Sequence, residues 1–251
     1  MTYERLAYVY DFLMKDVPYY NWLDFLSAER KRYSVEGNRV LDLACGTGEL
    51  SVLLAEEGFD VTGVDLSGDM LMVAREKAEQ KRLQVHLFEQ DMSLLEGLGT
   101  FDIITIFCDS LNYLQRPEEV QKTFSNVFTH LNEDGLFLFD VHSPYKINEF
   151  INETYSFAED EVSYIWTSFP GEHSLSIEHE LTFFVLDEKT GKYDRFDELH
   201  KQRTYSTDQY SDWLTKANFI IKSITADFSN QAPTNMSERL FFTCKKNKAL
   251  S

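Results

Sequence analysis

The run Val40-Leu41-Asp42-Leu43-Ala44-Cys45-Gly46-Thr47-Gly48-Glu49-Leu50 constrains this chain more than any other stretch. An apolar strand ends on small residues, two glycines follow one residue apart, and an amphipathic segment starts at once. Such a pattern makes a buried strand, a tight turn and a helix N-terminus, where a ligand meets bare backbone. Gly46 and Gly48 are expected to accept positive φ and to keep Cβ atoms out of the ligand's way. Asp42 adds an acceptor near the strand's carboxyl end. A simple phosphate cradle has no use for a carboxylate there, so the turn suits a cationic or hydroxyl-bearing ligand.

From Asn38 to His142 strand and helix patterns alternate with short connections. Strands are predicted over Arg39 to Leu43, Asp60 to Asp65, Gln84 to Phe88, Phe101 to Phe107 and Leu136 to His142. Ser67 is placed to cap the helix after the second strand, and Pro117 to open a later helix that stops before Gly135. Alternation of this kind specifies a doubly wound, mostly parallel sheet whose ligands lie beyond the carboxyl ends of its strands. The second half reads differently. Glu161 to Phe169, Leu175 to Leu186 and Tyr193 to Tyr205 are strand-like with turn signals and no helix between them, which predicts an antiparallel insertion. A helix over Thr207 to Ala217 and strands over Phe219 to Asp227 and Arg239 to Cys244 complete the pattern.

The 251 residues, 43% of them hydrophobic, suffice for one sizeable core with an appended region. Cys45, Cys108 and Cys244 have neither disulfide nor zinc spacing, which points to a reducing cytoplasm. His173 and His179 read as lying on one strand face about 20 Å apart, too far to share a metal, so no metal site is expected. The N-terminal stretch carries charges through its apolar pattern and lacks a small-residue cleavage site, and no membrane span is expected. A net charge of −18 makes nucleic acid a poor partner. Lys245, Lys246 and Lys248 read as a solvated tail.

Two further carboxylates sharpen the glycine turn. Asp65 ends the second strand, where a carboxylate accepts both hydroxyls of a ribose. Asp91 follows the third strand, where it accepts from an exocyclic amine or caps the next turn. Acceptors without a nearby cation suit an adenosine that carries no phosphate.

VLDLACGTGEL, VTGVDLSGDML, EQDM and FDIITIFCDSLNYL, in that order and spacing, resemble the class I S-adenosylmethionine-dependent methyltransferases of the small-molecule type. The resemblance implies a seven-stranded Rossmann-like sheet with its last strand antiparallel, and S-adenosyl-L-methionine as cofactor. It implies that backbone around Ala44, Gly46, Thr47 and Gly48 faces the methionine moiety and that Asp65 takes the ribose. Leu66 then lies on the adenine, Asp91 and Met92 meet its polar edge, and carbonyls near Phe107 and Cys108 take the ammonium. Many members have glycine at the position of Ala44, where a Cβ is expected to be tolerable. The segment from Tyr3 through Leu6, Ala7, Tyr10 and Asp11 to Trp22 resembles a capping helix, with Tyr10 and Trp22 as its cofactor contacts.

Methyl transfer from a sulfonium is an in-line displacement that requires no covalent intermediate, so no catalytic signature is obligatory. Candidate catalytic groups are His142 as proton acceptor, Tyr113 behind it, and Asp109 as holder of a cation. Arg203 and Tyr205, where the insertion returns, are candidate substrate contacts. The expected organisation is capping helices over 1–37, a methyltransferase core over 38–144 and 206–246, and an insertion over 145–205. The insertion serves the substrate or a homodimer surface, and the acceptor is expected to be a small molecule methylated on N or O. A nicotinamide-dependent oxidoreductase and a non-catalytic cofactor-binding module are the alternatives. Ser51 in place of the third fingerprint glycine weighs against the first. Activity on tRNA or protein is disfavoured by charge.

Overall fold

A computed structural model describes residues 10–247. Its central sheet contains β1 (Arg39–Leu43), β2 (Asp60–Asp65), β3 (Val85–Glu89), β4 (Phe101–Ile106) and β5 (Leu131–His142), with β10 (Phe219–Ala226) and β11 (Arg239–Lys246). The strand order is β10-β11-β5-β4-β1-β2-β3. β1 runs parallel to both β2 and β4, whereas β11 lies antiparallel to β5 and β10. Chain order reverses on either side of β1, so a crevice opens at the carboxyl ends of β1 and β4.

Helices α1 (Tyr19–Arg32) and α2 (Glu49–Glu56) cover one face, burying Trp22, Leu26 and Leu54 against Val40, Ile103, Leu136 and Leu138. Helices α4 (Pro117–His130) and α6 (Thr207–Lys216) cover the other, where Phe124 and Tyr210 meet Leu41, Phe137, Phe139 and Phe242. Alternate residues of β5 thus point into opposite cores, as a strand's period of two requires. Phe139 stacks on Phe242 with centroids 4.6 Å apart. α3 (Gly68–Gln80) begins at Ser67, whose hydroxyl accepts the Met70 amide proton as expected of an N-cap. Among the described residues no helix is long and apolar enough to cross a membrane.

The insertion is a four-stranded antiparallel sheet in the order β6-β7-β8-β9, from β6 (Thr154–Ala158), β7 (Val162–Pro170), β8 (Ser176–Asp187) and β9 (Lys192–Arg203). Its edge strand β6 and the preceding α5 (Pro144–Phe150) are absent from the sequence prediction. Ser143 as N-cap before Pro144 was a readable helix start. β6 is short, exposed and weakly patterned, and pairing with β7 is what makes it a strand. The inner face of the sheet buries Val162, Leu181 and Phe183 against Phe12 and Leu13 of the N-terminal segment.

Three further boundaries differ from expectation. β5 begins at Leu131, directly after α4, and Gly135 lies inside it, where a Cβ would meet the Asp102 carbonyl at 2.8 Å. His173 lies in the turn before β8, so only His179 of that pair is on a strand. Lys245 and Lys246 belong to β11, and Lys246 pairs with Glu133 at 3.2 Å; Lys248 lies outside the described residues.

Candidate active site

The turn after β1 is built from left-handed residues: Ala44 has φ 56°, Gly46 55° and Gly48 78°. Ala44 therefore carries a Cβ in a conformation that disfavours one, a strain of about 1–2 kcal/mol rather than an innocuous strand end. A Cβ on Gly46 would meet nothing within 4 Å, so the turn stays open above it. Gly48 also has a packing task. A Cβ there would lie 2.7 Å from the Cβ of Ala74, so this glycine lets α2 approach α3.

Asp42 also departs from its expected role as an open acceptor. It is 2% exposed, and its carboxylate accepts Ser51 Oγ at 2.6 Å and Thr105 Oγ1 at 3.0 Å. Burial pushes its pKa up to about 6. It joins β1 to α2 and β4 beneath the turn.

At the end of β2 Asp65 accepts the amides of Gly46 at 2.8 Å and Ser67 at 2.9 Å, which joins the glycine turn to the start of α3. Burial raises its pKa while those amides oppose the rise. Leu66 beside it is 70% exposed, an apolar platform. Asp91 caps the 3-10 turn Met92–Leu94 by accepting the Ser93 amide at 2.7 Å, and Met92 packs against the core.

The residues after β4 form a charged knot. Cys108 and Asp109 adopt φ of 56° and 53°, two successive left-handed residues without glycine. Asp109 accepts Arg239 Nη2 at 2.9 Å and Gln202 Nε2 at 2.8 Å, and lies 3.3 Å from His142 Nε2. Burial pushes its carboxyl up, but His142 and Arg239 outweigh that and hold it well below the usual range. Arg239 also pairs with Asp140, a buried carboxylate on β5 that accepts the Trp22 indole at 2.8 Å. His142 is fixed through its backbone, its amide donating to Asn112 Oδ1 at 2.9 Å and its carbonyl accepting Thr204 Oγ1 at 2.6 Å. A cavity of about 220 Å³ opens beside this knot, lined by His142, Lys146, Asp227, Phe228, Glu238 and Arg239.

The insertion and the N-terminal segment reach the same edge. Tyr113 Oη lies 3.0 Å from His200 Nδ1 of β9, and burial pushes the His200 pKa down. His179, behind it, is held to about 4 by burial and by the neighbouring His142 and His200. Thr47 donates to Asp11 at 2.6 Å, and Asp11 pairs with Lys77 at 2.7 Å, so the N-terminal segment is tied to the glycine turn. Burial holds the Tyr10 phenol well above its usual range. Tyr3, Leu6 and Ala7 lie outside the described residues.

Three residues expected to meet a ligand make contacts within the protein. Trp22 is buried on Phe228 with centroids 4.6 Å apart and supports Asp140 from below. Tyr205 is 2% exposed, packs on Tyr210 and Trp213, and donates to the Gln115 carbonyl at 3.1 Å. Arg203 donates to that same carbonyl at 2.9 Å and lies over the Tyr205 ring. Both pin the end of β9 to the loop after β4. Sequence reasoning missed Asp140, Arg239 and Gln202. An aspartate inside the apolar run Leu136-Phe137-Leu138-Phe139-Asp140-Val141 was a signal that it has partners.

Fold and site together define a Rossmann-like transferase domain. The open Gly46, the exposed Leu66 and the Asp65 carboxylate lie together at the carboxyl ends of β1 and β2. Residues 40–135 match the family model for a methyltransferase domain. A putative methyltransferase of Geobacillus sp. (strain WCH70) is 52% identical over 248 residues, covering 98% of this chain and 100% of that protein. The crystal structure of a S-adenosylmethionine-dependent methyltransferase from Clostridium acetobutylicum matches with TM-score 0.88 at 33% identity, covering 98% of this chain and 99% of that one. An amino pentose methyltransferase from Micromonospora echinaspora, solved with S-adenosylmethionine bound, has TM-score 0.74 and 18% identity over 95% of this chain and 96% of its own; that likeness concerns the fold. The chain belongs to the S-adenosylmethionine-dependent methyltransferases, and S-adenosylmethionine is its cofactor.

Proposed function

We propose that this enzyme methylates a nitrogen or oxygen of a small molecule held between the carboxyl edge of β4 and β5 and the inner face of the insertion. The observation that carries this reading is the Gln202–Asp109 hydrogen bond of 2.8 Å, which brings β9 of the insertion onto the group beside His142. The amino pentose methyltransferase shares this fold and supports an acceptor of sugar size. In this reading Asp65 takes the ribose hydroxyls, Leu66 lies on the adenine, and Asp91 and Met92 meet its polar edge. The backbone of Ala44, Gly46, Thr47 and Gly48 lines the methionine moiety, the carbonyls of Phe107 and Cys108 take its ammonium, and Tyr10 closes the site.

The cofactor supplies an activated methyl, and the protein's work is alignment and exclusion of water, with proximity worth on the order of 7–11 kcal/mol. Ionised Asp109 accepts the Nε2 proton of His142, which leaves Nδ1 as the basic nitrogen for an acceptor that must lose a proton. An amine that arrives neutral needs no such base.

A panel of small amines and hydroxy compounds, scored for release of S-adenosylhomocysteine, tests the reading. With the acceptor in hand, His142→Ala is expected to lower turnover by about 10²–10⁴-fold while sparing cofactor affinity. Wild-type turnover in that variant from about pH 6 to 9 would remove His142 from the chemistry. RNA binding that is tight at low salt and falls steeply as salt rises would overturn the small-molecule assignment.

A further inference from the structure

We propose that Asp140 is a positioning residue, which aims the carbonyls of Phe107 and Cys108 at the α-ammonium of the cofactor by holding the amides of Cys108 and Asp109. The proposal rests on the reading that those carbonyls take the ammonium.

Two successive non-glycine residues in the left-handed region cost roughly 1–2 kcal/mol each, so something must hold Cys108 and Asp109 there. Asp140 does. Its Oδ1 accepts the Cys108 amide at 2.9 Å and its Oδ2 the Asp109 amide at 3.0 Å. Both are charge-assisted bonds to a fully buried carboxylate. In a trans peptide the carbonyl points opposite to the amide N–H of the next residue. Amides turned toward Asp140 on β5 therefore turn the Phe107 and Cys108 carbonyls away from β5. On that far side of β4 lies β1, with its glycine turn. The Phe107 carbonyl also accepts the Ser110 amide at 3.3 Å and keeps a second lone pair.

Only a carboxylate suits this position. Four donors converge on it: Trp22 Nε1 and the Cys108 amide at Oδ1, and the Asp109 amide and Arg239 at Oδ2. An asparagine has one acceptor oxygen, so whichever way it flips its NH2 faces two donors. Arg239 bridges Asp140 and Asp109, so it holds the side chain of the same loop whose backbone Asp140 holds.

Calorimetric affinities of S-adenosylhomocysteine and its deaminated analogue test this in the full chain. Wild type is expected to prefer the amine-bearing ligand by at least about tenfold. In Asp140→Asn that preference is expected to shrink to about twofold or less, with the analogue bound as in wild type. Trp22→Phe keeps the ring packing and removes one donor, and its preference should fall between the two. A preference undiminished in Asp140→Asn overturns the proposal, as does an equal loss for both ligands. Should Asp140→Asn fail to fold, Trp22→Phe decides, and a wild-type preference there overturns the proposal. Absence of any preference in wild type overturns instead the reading that the loop takes the ammonium.

Discussion

Asp42 and His179 are buried groups whose protonation pulls stability in opposite directions. Asp42 titrates near 6 in the folded chain, above the ordinary carboxyl range, so the folded state binds its proton more tightly. Its contribution to stability is full below about pH 4 and is lost as pH rises through about 6. His179 titrates near 4, below its ordinary value, so its contribution is full above about pH 6.5 and is lost as pH falls through about 4. Each term amounts to roughly 3 kcal/mol. Relative to wild type, Asp42→Asn should lose stability more steeply between about pH 6 and 4, and His179→Gln less steeply, as read by urea denaturation across that range. Slopes that change in the same direction in both variants would refute this assignment. Asp65 belongs to the same scale: Asp65→Ala is expected to weaken cofactor binding by about tenfold to several hundredfold. Calorimetry with unchanged affinity would show that its amide bonds alone are its purpose.

At the scale of elements, the insertion is anchored more firmly than a free lid would be. Tyr205 and Arg203 tie the end of β9 to the Gln115 carbonyl, and Tyr205 is part of the core between α4 and α6. Tyr205→Ala should therefore cost about 3–5 kcal/mol of unfolding free energy, against an expectation from sequence of a substrate effect alone. Arg203→Ala should cost about 1–2 kcal/mol, through the lost carbonyl bond and ring contact. Near-native denaturation midpoints in both would mean that these residues serve a ligand after all. The N-terminal segment is held differently, by Phe12 on the insertion and Asp11 on Thr47. Thr47→Val removes that hydroxyl at almost constant shape. The amides of residues 10–13 should then exchange with deuterium about tenfold faster, while β1 and β4 keep their protection.

The whole molecule carries a net charge of −18. Self-repulsion on that scale destabilises a compact chain, and screening relieves it. Raising sodium chloride from about 10 mM to about 150 mM shortens the Debye length from roughly 30 to 8 Å and should raise the melting temperature. A melting temperature independent of salt would mean that the acidic groups are already compensated locally.

What the sequence determined by itself follows from local periodicity and backbone chemistry. The strand–turn–helix around Gly46, the cap at Ser67 and the opening of α4 at Pro117 are written in neighbouring residues, and a doubly wound, mostly parallel sheet follows from their alternation; the count of seven strands came with the family resemblance. The acidic ends of β2 and β3 were legible for the same reason. Tertiary structure alone decided which polar groups are spoken for. Asp42 and Asp65 look alike in sequence, yet Ser51 and Thr105 consume one, while the other lies between the glycine turn and the exposed Leu66. Gln202 and Arg239 lie on β9 and β11, far in sequence from Asp109 and His142, and although Asp140 shares β5 with His142, no spacing links it to Asp109. Burial and pairing depend on contacts between residues distant in sequence. A charge buried among apolar strands needs partners, and only the folded chain shows where they come from.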